Sequence, residues 1–240
     1  MKTFPPAAFA LLLASLNLTF AQPDGLGIFS RHADIGAVGQ AGAVRFNVAL
    51  NDYAVSGGGV NMWFTNDAFH YVWKEVRGDL TLAANIQWNT NGGDPHRKAG
   101  LIFRQSLTPG SAYVDAVLHG DGLTSLQYRE TENGQTHEIQ SNVSSPARLR
   151  LEKRGHYVSL SVAATGDKLH PAGGTVRLNF KEPFYVGLGV CAHDNSRIET
   201  ATFSKVELVP LPPIMTNAKP ALLSTLEVIA IASTDRRVIH

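Results

Sequence analysis

An all-β chain, folded as an antiparallel β-sandwich, is what three features of this 240-residue sequence predict. Apolar and polar residues alternate with a period of two in segment after segment, as they do where side chains point to opposite faces of a strand. Breaker clusters such as Thr108-Pro109-Gly110 and Gly120-Asp121-Gly122 stand between these segments and favour tight antiparallel turns over helical crossovers. Little of residues 22–209 keeps a 3.6-residue apolar period over the length a stable helix needs.

Residues 44–48 and 53–56 flank Asn51-Asp52 as an opening hairpin. The Gly57-Gly58-Gly59 run lacks the helix and the Lys-Ser/Thr pair of a phosphate cradle, so it marks a bend where backbones come close. Residues 70–76 and 80–88 read as a second hairpin across Arg77-Gly78-Asp79. The loop 89–96 is rich in Asn, Gly and Asp, the kind of connection that carries function on a β scaffold. Three neighbouring strands follow at 98–105, 113–119 and 123–129, and the chain runs on to a turn at Asn133-Gly134. Residues 147–153 and 157–163 alternate strictly about Arg154-Gly155. In 184–193, Phe184, Val186, Leu188 and Val190 share one face, while Tyr185, Gly187, Gly189, Cys191 and His193 share the other. That second face is nearly bare, which suits a ligand, a covering loop or a curved sheet. Residues 198–209 close the sandwich as a last long strand.

The flanks differ from this body. Lys2, the apolar run 7–16 and Ala21 have the form of a secretory signal peptide over residues 1–21. The run is too short to span a bilayer, so cleavage would leave an exported chain with no integral membrane segment. With 21 Lys+Arg against 20 Asp+Glu, the charge balance argues against a nucleic-acid or anionic-membrane partner. Cys191 is the sole cysteine, which excludes an intrachain disulfide. Pro210, Pro212, Pro213 and Pro220 define a stiff linker over 210–221.

Several separated stretches carry a resemblance: Trp63-Phe64-Thr65-Asn66-Asp67-Ala68-Phe69-His70-Tyr71-Val72, Gly78-Asp79, Arg97-Lys98-Ala99-Gly100-Leu101-Ile102-Phe103-Arg104, residues 184–191, and Phe203-Ser204-Lys205-Val206. Together they resemble the concanavalin A/laminin G-like β-sandwich domains of unknown function found in secreted bacterial proteins. The resemblance covers about Leu26 to Val209 and implies a jelly-roll sandwich, expected over residues 22–209, with a glycan-binding or accessory role. Residues 222–240 resemble the first two strands of a TolB-like β-propeller blade, a piece too short to form a propeller.

Alternation in the three middle strands puts Leu101, Phe103, Val114, Ala116, Leu118 and Leu126 on a core face. Arg104, Asp115, His119, Ser125 and Gln127 fall on the other face, and burying that wall without a partner would be costly. A saccharide offers C–H faces for stacking and hydroxyls for paired donors and acceptors. The expected ligand-binding set is therefore Trp63, His70, Trp73, Arg104, Tyr113, Asp115, His119, Gln127, Tyr185 and His193, lining a polar concave face. Two alternatives compete with it: Arg104 and Asp115 as a structural cross-strand pair, and the tryptophans as core residues.

Other chemistries find less support. Glu130 and Glu132 sit beside a turn where solvated charges are ordinary, and a glycosidase needs two carboxylates facing a groove. There is no Gly-x-Ser-x-Gly elbow, and Cys191 reads as a small buried hydrophobe. Asp94 with His96, His119 with Asp121, and His193 with Asp194 and Asn195 would serve calcium only if their loops converge, and zinc lacks a compact His/Cys pattern. The expectation is a non-catalytic exported domain that needs no cofactor and binds a glycan. Its rival is an interaction module whose polar face packs against a β-propeller, and a glycosidase or lyase is a third class.

Overall fold

A computed structural model describes residues 25–213. The expected signal peptide, the later part of the linker and the propeller-like tail lie outside these residues. Among the described residues there is no helix, and fifteen strands make two antiparallel sheets. In chain order the strands are β1 (Arg31–Ile35), β2 (Ala43–Asn47), β3 (Asp52–Gly57), β4 (Asn61–Trp63), β5 (Asn66–Val76), β6 (Leu80–Trp88), β7 (Lys98–Arg104) and β8 (Tyr113–His119). They continue as β9 (Thr124–Arg129), β10 (His137–Gln140), β11 (Arg148–Arg154), β12 (Tyr157–Ala163), β13 (His170–Arg177), β14 (Phe184–Cys191) and β15 (Glu199–Pro210). One sheet runs β1-β5-β14-β7-β8-β9-β10, with β4 folded back on β5; the other runs β13-β12-β11-β6-β15-β3-β2.

The middle strands pair as their turns demand. Leu101 stands opposite Ala116, and Ala116 opposite Leu126, so the apolar rows of β7, β8 and β9 meet on one face. That face packs against Leu82, Leu149, Leu151, Leu160, Val162 and Phe203 from the second sheet, forming the main core. The alternation in β14 also holds: Phe184, Val186, Leu188 and Val190 all enter this core.

Residues 70–76 and 80–88 do not form the expected hairpin. β5 pairs with β1 and β14, whereas β6 pairs with β11 and β15 in the opposite sheet. The turn at Gly78, with φ of 78°, carries the chain across the core. Val72 and Leu82 then meet inside the sandwich rather than side by side in one sheet. β15 also runs through Pro210, the expected first residue of the linker, and the Leu211 amide bonds the Asp79 carbonyl.

The bare face of β14 is covered from within. A second apolar cluster on the outer face of the eight-stranded sheet gathers Ile35, Met62, Phe69, Tyr71, Trp73, Ile102 and Cys191, with Leu107 and Tyr185 at its margin. A side chain at Gly187 would press on the β5 backbone at Val72 and Trp73, and one at Gly189 on Ile102 and Phe69. The glycines thus admit the protein's own aromatic rings. Gly187→Ala is expected to destabilise the domain by about 1–3 kcal/mol, because strand β5 must move to make room. A denaturant titration checks this, and an unchanged midpoint would contradict the tight approach of β5 to β14.

Candidate functional site

The outer face of the eight-stranded sheet divides into three zones. The first is the apolar cluster just described, which takes up Trp73, 6% exposed and stacked on Tyr71, together with Tyr185. The second is a buried ionic knot. Asp67, at the start of β5, receives Arg129 through both carboxylate oxygens at 2.8 and 3.0 Å and Arg104 at 2.6 Å. All three side chains are sealed from solvent. The remaining donors of Arg104 go to the carbonyls of Ser106 and Thr108. Arg104 thus pairs with Asp67 rather than with Asp115. Tyr113 packs under both guanidinium groups, and its hydroxyl pairs with Thr136.

The third zone, at the far end of the same face, is open. A cavity of about 350 Å³ is lined by Asn61, Trp63, Phe64, His96, Lys98, His119, Leu123, Gln127, Glu138, Gln140 and His193. Four of the ten expected residues, Trp63, His119, Gln127 and His193, reach it. Strands β7, β8, β9 and β10 supply Lys98, His119, Gln127 and Glu138: Lys98 faces His119 across one strand pair and Gln127 faces Glu138 across another, while between β8 and β9 it is Asp115 that stands opposite Gln127. Strand β4 brings Asn61 and Trp63 over the sheet, and the turn after β14 brings His193, with φ of 57°.

His70 is a plain correction. It shares a face with Val72, so it points between the sheets, where Nδ1 meets Asp34 at 2.6 Å and Nε2 meets His32 at 3.0 Å. Asp115 is on the predicted face but lies beneath the cavity, fully buried, with both carboxylate oxygens unpartnered. Burial pushes its carboxyl well above the usual range, against the pull of the Lys98 ammonium. Lys98 was not foreseen, although its parity with Arg104 on the same strand is visible in the sequence. Glu138 and Gln140 lie on a four-residue edge strand with no clear alternation, so nothing local marks them.

Hydrogen bonding fixes the floor of the cavity. The Gln127 amide nitrogen donates to Glu138 Oε1 at 3.0 Å and lies 3.4 Å from His119 Nε2. Both neighbours are acceptors in this arrangement, so the NH₂ end must face them, and the Gln127 oxygen is left buried without a partner. His119 Nδ1 donates to the Leu123 carbonyl at 3.1 Å. Burial, reinforced by Lys98, draws the His119 pKa down to about 4, so the ring is neutral near pH 7. Burial pulls Glu138 upward, but hydrogen bonds from Gln140 and Gln127 outweigh it and hold the carboxyl below its ordinary range. Burial likewise draws the Lys98 ammonium down; it donates to Asn61 Oδ1 and lies over the Trp63 ring at 5.5 Å.

The loops named for calcium meet only in part. His193 Nδ1 lies 3.3 Å from Asp94, and the His96 amide donates to Asp94 at 2.7 Å. Among the described residues no group of three or more His, Cys, Asp or Glu gathers in a way that could hold a metal ion. Cys191 is buried in the outer cluster, and burial raises its thiol to about 11, too high for a thiolate nucleophile at neutral pH. Two depressions of about 390 and 490 Å³ on the second sheet share Asn85 and Ala147. Several of their polar groups are already paired there, Arg148 with Asn85 and Glu207, and Thr202 with Asn89.

These features define a concanavalin-like antiparallel β-sandwich of the jelly-roll type. No family model and no curated protein matches the chain. Solved structures do. A functionally unknown protein from Saccharomyces cerevisiae aligns at a TM-score of 0.54 and 17% identity, over 71% of this chain and 93% of its own. A GH43 protein from Bacillus licheniformis aligns at 0.52 and 12% identity, over 67% of this chain and 33% of its own, so this chain spans a third of that protein. The carbohydrate-binding module CBM66 from Bacillus subtilis aligns at 0.49 and 17% identity, over 77% of this chain and 99% of its own. At these identities the likeness is one of fold. Among the described residues no helix is long and apolar enough to cross a membrane.

Proposed function

We propose that this domain binds a neutral saccharide, without catalysis, in the cavity between β4 and the β7–β10 end of the eight-stranded sheet. The observation that carries the reading is the joining, in one open cavity, of aromatic rings from Trp63 and Phe64 with Gln127, Gln140, Asn61, Glu138 and Lys98. Sugars present C–H faces and hydroxyls that both donate and accept, and such a lining answers both. Lys98 and Glu138 bring opposite charges to the lining, which suits a polyol better than a strong anion or cation.

Two further points favour binding over hydrolysis. Glu138 is the one carboxylate among the described residues that line the cavity, and glycoside hydrolysis uses a pair flanking the scissile bond. Asp115 has the raised pKa of an acid but is sealed beneath the floor. The rival reading, a polar face docked on a propeller, needs that face open, whereas most of it is filled by the apolar cluster and the ionic knot.

Calorimetric titration with a panel of neutral hexasaccharides of glucose, xylose, mannose or galactose tests the proposal. The native domain is expected to bind at least one member of the panel. Gln127→Leu, close in volume and lacking the amide, is expected to weaken that binding about tenfold or more while leaving the melting transition cooperative. Binding unaffected by Gln127→Leu would move the site elsewhere.

A further inference from the structure

The turn joining β4 to β5 has two residues, Phe64 and Thr65, with Trp63 paired to Asn66 on either side. Phe64 sits at φ of 50°, a left-handed conformation that two-residue turns usually fill with glycine or asparagine. For a bulky residue that conformation is strained. The residue is nevertheless 64% exposed, at the edge of the cavity, so packing does not repay the strain.

The backbone beneath this ring is held by several hydrogen bonds. The Phe64 carbonyl accepts hydrogen bonds from the Thr136 amide and hydroxyl, both at 3.0 Å, and from Arg129 Nη2 and Nε at 3.1 and 3.3 Å. Arg129 is in turn fixed by both oxygens of Asp67, whose amide donates to the Pro109 carbonyl at 3.0 Å. The Met62 carbonyl, two residues before Phe64, accepts from Lys98 at 3.4 Å and Tyr113 at 3.5 Å. A strained, exposed aromatic residue clamped at its carbonyl by a sealed guanidinium is preorganised for a contact that the free domain does not make.

We propose that Phe64 is the stacking platform of the saccharide site, and that Arg129, locked to Asp67, is the residue that positions it. This rests on the saccharide reading of the cavity and adds the surface on which a sugar ring lies. The ring meets the C–H face of a pyranose, while Gln140 and Glu138, the latter held in place by Gln127, receive its hydroxyls. Glycine in place of Phe64 would suit the backbone better but would remove the plate, so the sequence gives up local stability to keep the ring.

Calorimetry with the same hexasaccharides, beside thermal melts of the whole chain, tests the assignment. Phe64→Ala and Phe64→Gly are expected to weaken binding about tenfold or more, and Phe64→Trp to restore it to within about threefold of the native value. Phe64→Gly is also expected to melt no lower than the native chain, an outcome that a packing role would not give. Native affinity in Phe64→Ala, with binding lost in Gln127→Leu, would overturn the platform and leave the cavity as the site. A melting point in Phe64→Gly lowered as by loss of a core residue would assign the ring to packing and overturn it as well. A native domain that binds no member of the panel would remove the saccharide reading and this assignment together.

Discussion

Asp67→Asn is expected to lower the stability of the domain by about 3–5 kcal/mol or to prevent folding altogether. The change alters shape very little. What it removes is the one carboxylate that faces two fully buried guanidinium groups, those of Arg104 and Arg129. A buried charge without its counter-ion carries a desolvation penalty that a neutral amide offsets only in part. The two arginines also hold the carbonyls of Phe64, Thr108 and Ser111, so their displacement would release the β4–β5 turn and the β7–β8 loop together. Urea denaturation of the variant checks this, and a loss below about 1 kcal/mol, the level of an exposed ion pair, would contradict a sealed knot.

The second large effect is a loss of stability in acid that belongs to His119. Its folded-state pKa is drawn from 6.5 down to about 4, chiefly by burial. Between these values the unfolded chain takes up a proton that the folded one refuses. Stability therefore falls as the pH is lowered from about 6.5 to about 4, and this contribution is flat below that. A shift of that size corresponds to roughly 3 kcal/mol. The structural reason is that Nδ1–H is already committed to the Leu123 carbonyl, so a second proton would sit at Nε2, against the Gln127 amide nitrogen and near Lys98. His70, also drawn down by burial, adds a contribution of the same sign. Denaturation midpoints of the native and His119→Gln chains, each referred to its own value at neutral pH, are expected to diverge through this window. Parallel acid profiles would contradict a neutral, desolvated His119.

How much of this was legible in the sequence depends on the range of the interactions involved. The β7–β9 meander is local: each strand pairs with the next, the turns name themselves, and alternation assigns Phe103 and Arg104 to opposite faces. β5 and β6 show the limit. A three-residue turn looks the same whether it closes a hairpin or crosses between sheets, and the choice is made by β14 and β11, which lie far along the chain. Edge strands β1 and β13 carry little local signal for a related reason. The first is largely exposed and polar, and the second contains Gly173 and Gly174 at positive φ beside a register shift in β12.

The site divides along the same line. His70 and Trp73 differ in parity, so alternation alone places them on opposite faces, although both are residue types that suit a saccharide. The wall of Arg104, Asp115, His119 and Gln127 does share one face, as expected. What no local pattern revealed is that Asp67 would neutralise one end of that wall and strand β4 would cover it. The choice of counter-ion for a buried arginine is made by the fold, and only the end near Lys98 and Glu138 is left open.

Amide chemical shifts followed through a titration with the hexasaccharide panel test the central claim most directly, since they locate contact as well as detect it. The account predicts perturbations at Trp63, Phe64, Lys98, His119, Gln127, Glu138 and His193, with Trp73, Tyr185 and Arg104 silent. Perturbations centred on Trp73 and Tyr185, or on the second sheet around Asn85 and Arg148, would contradict it.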